Sequence, residues 1–292
     1  MKSLRISIVQ YLNTTPLVRG FTHGPLRGKY ELSFTVPSQC AEALRAGAVD
    51  VAIIPAIEYQ RTDGLVVLPD LSISSKNKVR SLLLIAKKPL KEVRRVALDR
   101  SSRSTQALVR ILCAKHWGIA PEFFEAEPEL GEMLEEADAA LLIGDPALQF
   151  ALDGASFAEL TRNKKLNVFD MVAEWRAMTN LPAVLAVWAG RVEAVTAEVV
   201  EDFQASLAYG MTHLDEICEE AAEEMKLQAE ELRSYLVENI DYGLDAESRR
   251  GLQKYYELAA ELGILNAVRE VRMAGVTASA EQQTELLAGR RR

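Results

Sequence analysis

The chain has 292 residues, 49% hydrophobic and 26% charged, with a formal net charge of −8. That length holds one large or two medium domains with ample chain for a core. The acidic balance argues against a general nucleic-acid binder but admits a small anionic ligand, because donors grouped in a cleft outweigh a distant mean charge. Cys40, Cys113 and Cys218 lie far apart, with no CxxC and no histidine at ligand spacing, which speaks against a disulfide framework or a metal site. No apolar run approaches the ~20 residues needed to span a bilayer. The opening MKSLRISIVQYLN lacks a signal peptide's apolar core. The expectation is a soluble cytoplasmic protein with no membrane partner.

Leu4 to Val9 reads as the first strand, and Pro16 suits the first helical position after Asn13-Thr14-Thr15. Tyr30 to Val36, with Leu32, Phe34 and Val36 alternating, predicts a second strand. Pro37-Ser38 then opens a helix that stops at Gly47. Val49 to Ile54 is a third strand, Leu65 to Leu68 a fourth, and Ser72 to Lys78 a polar segment. Arg80 to Ala86 is a longer buried strand.

The most specific local signal follows. Val96-Ala97-Leu98 is a short apolar strand, Asp99-Arg100 end it, and Ser101, Ser102, Arg103, Ser104 and Thr105 precede helical spacing that runs to Trp117 and stops at Gly118. One hydroxyl is enough to cap a helix. Four of them at a helix start, where free N–H groups and the positive end of the macrodipole collect, serve either as surplus caps or as a cradle for a carboxylate or phosphate.

Phe123 to Ala126 predicts a strand, Leu130 to Glu136 an acidic helix, and Ala139 to Ile143 a buried strand ending in Gly144-Asp145-Pro146, with Asp145 as N-cap. Asn167 to Arg176 reads as irregular to helical. Pro182 to Trp188 is an apolar run long enough to cross between two lobes. From Ala197 the chain is helical, with Val199, Val200, Phe203, Leu207 and Met211 on one face. Further helices span about 231–239 and 247–262. The polar tail beyond Gly275 reads as frayed or weakly docked.

Strands alternating with helices predict an α/β protein with largely parallel sheets. The bracketing strands predict two lobes, residues 1–87 with 187–292 and an inserted 88–186, joined by a two-strand hinge around a central cleft. The turns at Asn13, Ser38, Ser102 and Asp145 all put small polar residues at the carboxyl end of a strand, where open α/β sheets bind ligands. Facing lobes would gather all of them at one site.

No GxGxxG follows a strand, Gly24 to Lys29 has the wrong spacing for a phosphate loop, and HExxH and GxSxG are missing. His23, His116 and His213 sit away from the four turns, so no histidine base is in view. Tyr11 and Trp175 serve either as ring-binding walls or as core packing. Glu58 and Tyr59 either reach the cleft or simply begin a helix.

The blocks Tyr11 to Leu17, Pro37 to Ala41, Val49 to Pro55, Val79 to Leu84, Leu98-Asp99 through Leu108, and Ile143-Gly144-Asp145 together resemble the chorismate dehydratases of the futalosine route to menaquinone. The resemblance covers roughly the first ~190 residues. Asn180, where Gly is expected, and Ala183, where an aromatic is expected, depart from the pattern. The resemblance implies a type II periplasmic-binding-protein-like fold, a dianionic small-molecule substrate, and loss of water from chorismate to give 3-[(1-carboxyvinyl)oxy]benzoate, with no cofactor and no metal. It implies Asn13 and Ser81 as catalytic residues. Ser38, Ser102, Arg103, Ser104, Thr105, Gly144 and Asp145 are expected to contact the substrate, with Asp145 either a cap or an acid near the leaving group. Two other readings stay open: the sibling enzyme that forms 1,4-dihydroxy-6-naphthoate, and a non-catalytic small-anion-binding protein.

Overall fold

The computed structural model describes residues 3–153 and 166–275; the tail beyond Gly275 lies outside the described residues. Two five-stranded sheets form the frame. The first contains β1 (Arg5–Val9), β2 (Glu31–Thr35), β3 (Val51–Pro55), β4 (Leu65–Ser75) and β10 (Ala183–Arg191) in the order β2-β1-β3-β10-β4. The second contains β5 (Leu82–Ala86), β6 (Arg95–Asp99), β7 (Glu122–Ala126), β8 (Ala139–Ile143) and β9 (Asn167–Asp170) in the order β7-β6-β8-β5-β9. The two orders are the same pattern, since in each sheet three parallel strands are followed by two antiparallel pairings. The sheets are therefore mixed rather than largely parallel. The reason is that β5 and β10 each enter a sheet from the opposite lobe and run against its parallel strands.

That exchange also moves the lobe boundaries. β5 pairs along its whole length with β8, and from Leu83 with β9, of the second sheet, so the first crossing precedes Leu82 rather than following Lys87. β10 pairs with β3 and β4 from Ala183 onward, so the return crossing ends there rather than near 187. The first crossing carries Arg80 in the left-handed region at φ 59°, and the return carries Asn180 there at φ 56°. Asn tolerates that conformation better than most side chains, which accounts for it at a position where Gly was expected.

Apolar runs that are buried on both faces specify the central strands: β3, β5 and β8 are buried at every residue. β2 lies at an edge, and its Phe34 is 46% exposed despite the alternating pattern. The serines after Leu71 continue β4 rather than forming a loop, because Ser72 and Ser74 are fully buried and donate to the carbonyls of Gly243 and Asp241. The stretch from Asn167 is a short strand followed by a helix, Met171–Thr179, whose first turn is capped by Asp170.

The helices that position the cleft are α1 (Thr15–Thr22), α2 (Pro37–Arg45), α3 (Ala56–Arg61), α4 (Ser104–Leu112), α5 (Leu130–Glu136) and α6 (Gly144–Leu152). α4 gives way to a π-helical turn, Cys113–Trp117, which ends at Gly118 with φ 64°. The C-terminal third consists of helices Ala197–Thr212, Leu214–Met225, Ala229–Ser234 and Ala246–Glu261, with a second π-helical turn at Tyr235–Asn239. Val199 and Phe203 face the core as their spacing predicts, whereas Met211 is 39% exposed. Within Ala246–Glu261, Tyr255 donates to the Ser104 carbonyl of one lobe and Tyr256 to the Ala56 carbonyl of the other. All three cysteines are buried and free. No helix among the described residues is long and apolar enough to cross a membrane.

Candidate active site

A cavity lies between the lobes. The first lobe contributes Tyr11, Asn13, Pro37 and Pro55 from turns at strand ends, with Leu185 and Ala186 from β10. The second contributes Leu82, Ile143 and Gly144, together with Ser102, Arg103, Ser104 and Thr105 at the start of α4. The lobes are closed on one another. Leu12 N donates to Asp145 Oδ1 at 3.0 Å, Ser38 N to Ser101 O at 3.1 Å, and Ile57 N to Ser104 Oγ at 3.2 Å.

The hydroxyl cluster is not a set of caps. Arg103 is the N-cap of α4, and its side chain makes no capping bond. Ser101 Oγ donates to the buried Asp99 carboxylate at 2.6 Å and lies 3.4 Å from the Tyr11 hydroxyl. Ser104 Oγ accepts from Ile57. The hydroxyls of Ser102 and Thr105, both buried at the cavity wall, have no hydrogen-bond partner among the described residues. Two open hydroxyls and a helix start therefore face one space, an arrangement that suits a carboxylate. Burial pushes the Tyr11 phenol up to about 12, so at neutral pH it is a neutral hydroxyl against the cavity.

Gly144 is demanded by geometry. It sits at φ 66°, and an added Cβ would lie 2.5 Å from the Tyr11 ring. Asp145 is not a cap, since Ile143 holds that position without a side-chain bond and Asp145 is already inside the helix. Its carboxylate instead accepts from Leu12 N across the cleft, and burial raises it to about 6 against the lowering effect of that bond. It does not line the cavity.

Ser81 and Ser38 also stand off from the cavity. Ser81 is 1% exposed, its Oγ accepts from Tyr235 at 2.8 Å, and its carbonyl accepts from Gly144 N. Ser38 lines a neighbouring hollow with Glu42, Arg45, Glu58, Arg61 and Arg103. There the buried Glu58 pairs with both Arg45 and Arg61, so it is structural. Tyr59 bonds to the Arg272 and Glu270 backbone. Trp175 is core, 1% exposed with its Nε1 donating to Pro182 O. His23 contacts Arg19, His116 contacts Glu174 and His213 stacks on Tyr209, all outside the cavity. Sequence spacing did not single out Tyr235, because its partner Ser81 is 154 residues away.

The cavity lining thus offers hydroxyls, one amide and one guanidinium, and no carboxylate, imidazole or amine. It can bind and orient an anion, but its own side chains supply no ready base.

Two sheets of matching strand order closed over such a cleft define the periplasmic-binding-protein-like class. Solved structures share it: protein AF1704 from Archaeoglobus fulgidus (TM-score 0.70, 20% identity, 89% of this chain and 98% of that one) and the periplasmic aliphatic sulphonate binding protein SsuA from Escherichia coli (TM-score 0.59, 15% identity, 96% of each). The Candida albicans CA3427 gene product, described as having the generic periplasmic binding protein structural fold, aligns with a TM-score of 0.61 at 12% identity, over 96% of this chain and 99% of that one. Residues 4–261 match the menaquinone biosynthesis family, and the chain belongs to it. A chorismate dehydratase of Thermus thermophilus is 30% identical over 266 residues, 88% of this chain and 95% of that protein.

Proposed function

We propose that the chain is a cytoplasmic hydro-lyase that dehydrates chorismate to 3-[(1-carboxyvinyl)oxy]benzoate. The C3–H and C4–OH bonds break, one water leaves, and the ring becomes aromatic; the reaction is redox-neutral and balances without a co-reactant. The observation that carries this reading is a cavity with open donors for a carboxylate and no carboxylate, imidazole or amine in its lining to act as a base. Aromatisation supplies the driving force, so the protein's task is to hold geometry, exclude water and help the leaving hydroxide. Ser102, Thr105 and the N–H groups at the start of α4 take one carboxylate. Asn13, from the facing wall, orients the reacting carbons. The proton at C3 goes to a carboxylate of the substrate itself, and the apolar surfaces of Leu82, Ile143 and Leu185 keep that carboxylate poorly solvated and more basic.

Incubation of the protein with chorismate, followed by ultraviolet absorbance and mass, tests this directly. The expected result is an aromatic product lighter than chorismate by one water. A tight complex with unchanged chorismate overturns it in favour of a binding protein, and turnover of cyclic dehypoxanthine futalosine instead overturns it in favour of the sibling enzyme.

A further inference from the structure

We propose that Tyr235 is a positioning residue for this dehydration, fixing Ser81 from behind the cavity; the inference rests on the function proposed above. Tyr235 has no exposed surface and its hydroxyl donates to Ser81 Oγ at 2.8 Å. A single buried O–H therefore holds the serine that opens the second lobe from a segment more than 150 residues away. Because the proton of Tyr235 is spent on Ser81 Oγ, the Ser81 proton is free to turn toward another acceptor.

The surrounding backbone is built to hold that contact. Tyr235 begins the π-helical turn Tyr235–Asn239, a distortion that recurs at functional sites. The same segment grips the inter-lobe crossing one residue before Ser81. Arg80 donates through Nε to Asn239 Oδ1 at 2.8 Å and through Nη2 to Ser234 Oγ at 2.9 Å, and it holds a left-handed φ of 59°. Residues 80 and 81 are thus pinned at three points by a stretch that shares no sequence neighbourhood with them. The Ser81 carbonyl then holds Gly144 N, which lines the cavity, so a shift at Tyr235 reaches the substrate wall. Tyr242 is also buried, yet its hydroxyl has no partner among the described residues, which makes it a control.

The experiment compares wild type, Tyr235→Phe, Tyr242→Phe, Ser81→Ala and the Tyr235→Phe/Ser81→Ala double variant, with thermal melts to confirm folding. Tyr235→Phe is expected to lower kcat by at least about tenfold with KM within about twofold, while Tyr242→Phe matches wild type. If Tyr235 acts through Ser81, the double variant is no slower than Ser81→Ala alone. A wild-type kcat for Tyr235→Phe, or losses that add in full in the double variant, overturns the inference and leaves the proposed function standing. A wild type that does not turn over chorismate removes both.

Discussion

The two walls of the cleft are made from the same device, a strand-to-helix turn, but use its polar groups differently. In the first lobe the donors of the turn at Leu12–Thr14 are spent: Leu12 N goes to Asp145 across the cleft, and the Thr14 hydroxyl goes to Asn13. In the second lobe the turn at Ser101–Thr105 commits Ser101 and Ser104 but leaves Ser102 and Thr105 open at a helix start. A wall with unspent donors grips a charge; a wall whose amide is held in place orients what has been gripped. Binding and turnover should therefore separate between the lobes.

The sharpest break of that division is Asn13→Ala. Losing one oriented polar group at a reacting centre costs about 100-fold in kcat, and steady-state kinetics should show it with little change in KM. The opposite signature is expected on the other wall. Thr105→Val removes one bond to a carboxylate, which is about 1.5–3 kcal/mol, so KM should rise at least about tenfold while kcat holds. A kcat loss at Thr105 matching that at Asn13 would erase the distinction.

The smallest effect concerns the contact that closes the walls. The Asp145 carboxyl sits at about 6, above the ordinary carboxylate value of 3.8. A raised acid favours the folded state when protonated, so its contribution is fully present below about pH 4 and is lost as pH rises through 6. Asp145→Asn keeps an acceptor for Leu12 N and removes the buried charge. Melting curves from pH 4 to 8 should show the variant on the order of 1 kcal/mol more stable than wild type at pH 8, with no gain at pH 4.

Legibility followed the range of the interactions. β3, β5 and β8 could be read because burial on both faces writes itself as an unbroken apolar run. The start of α4 could be read because its hydroxyl excess is local. Ser72 and Ser74 could not, since a serine in a strand becomes intelligible only when the carbonyls of Gly243 and Asp241, 171 and 167 residues on, are beside it. The same distance hid Tyr235. β9, the four residues NVFD at a sheet edge, is too short to show a period. Sheet membership of β5 and β10 is a tertiary fact, so the lobe boundaries drawn from apolar runs fell several residues off. Asp145 had the composition of a cap and was recruited by a partner across the cleft instead.

Adjacent tyrosines on the helix Ala246–Glu261 fasten Ser104 and Ala56, which belong to different lobes. Consecutive residues on a helix rise by only about 1.5 Å, so the gap between those two anchor points is set by a single rigid rod and varies little. Any breathing of the molecule would have to leave those two contacts in place or break them together.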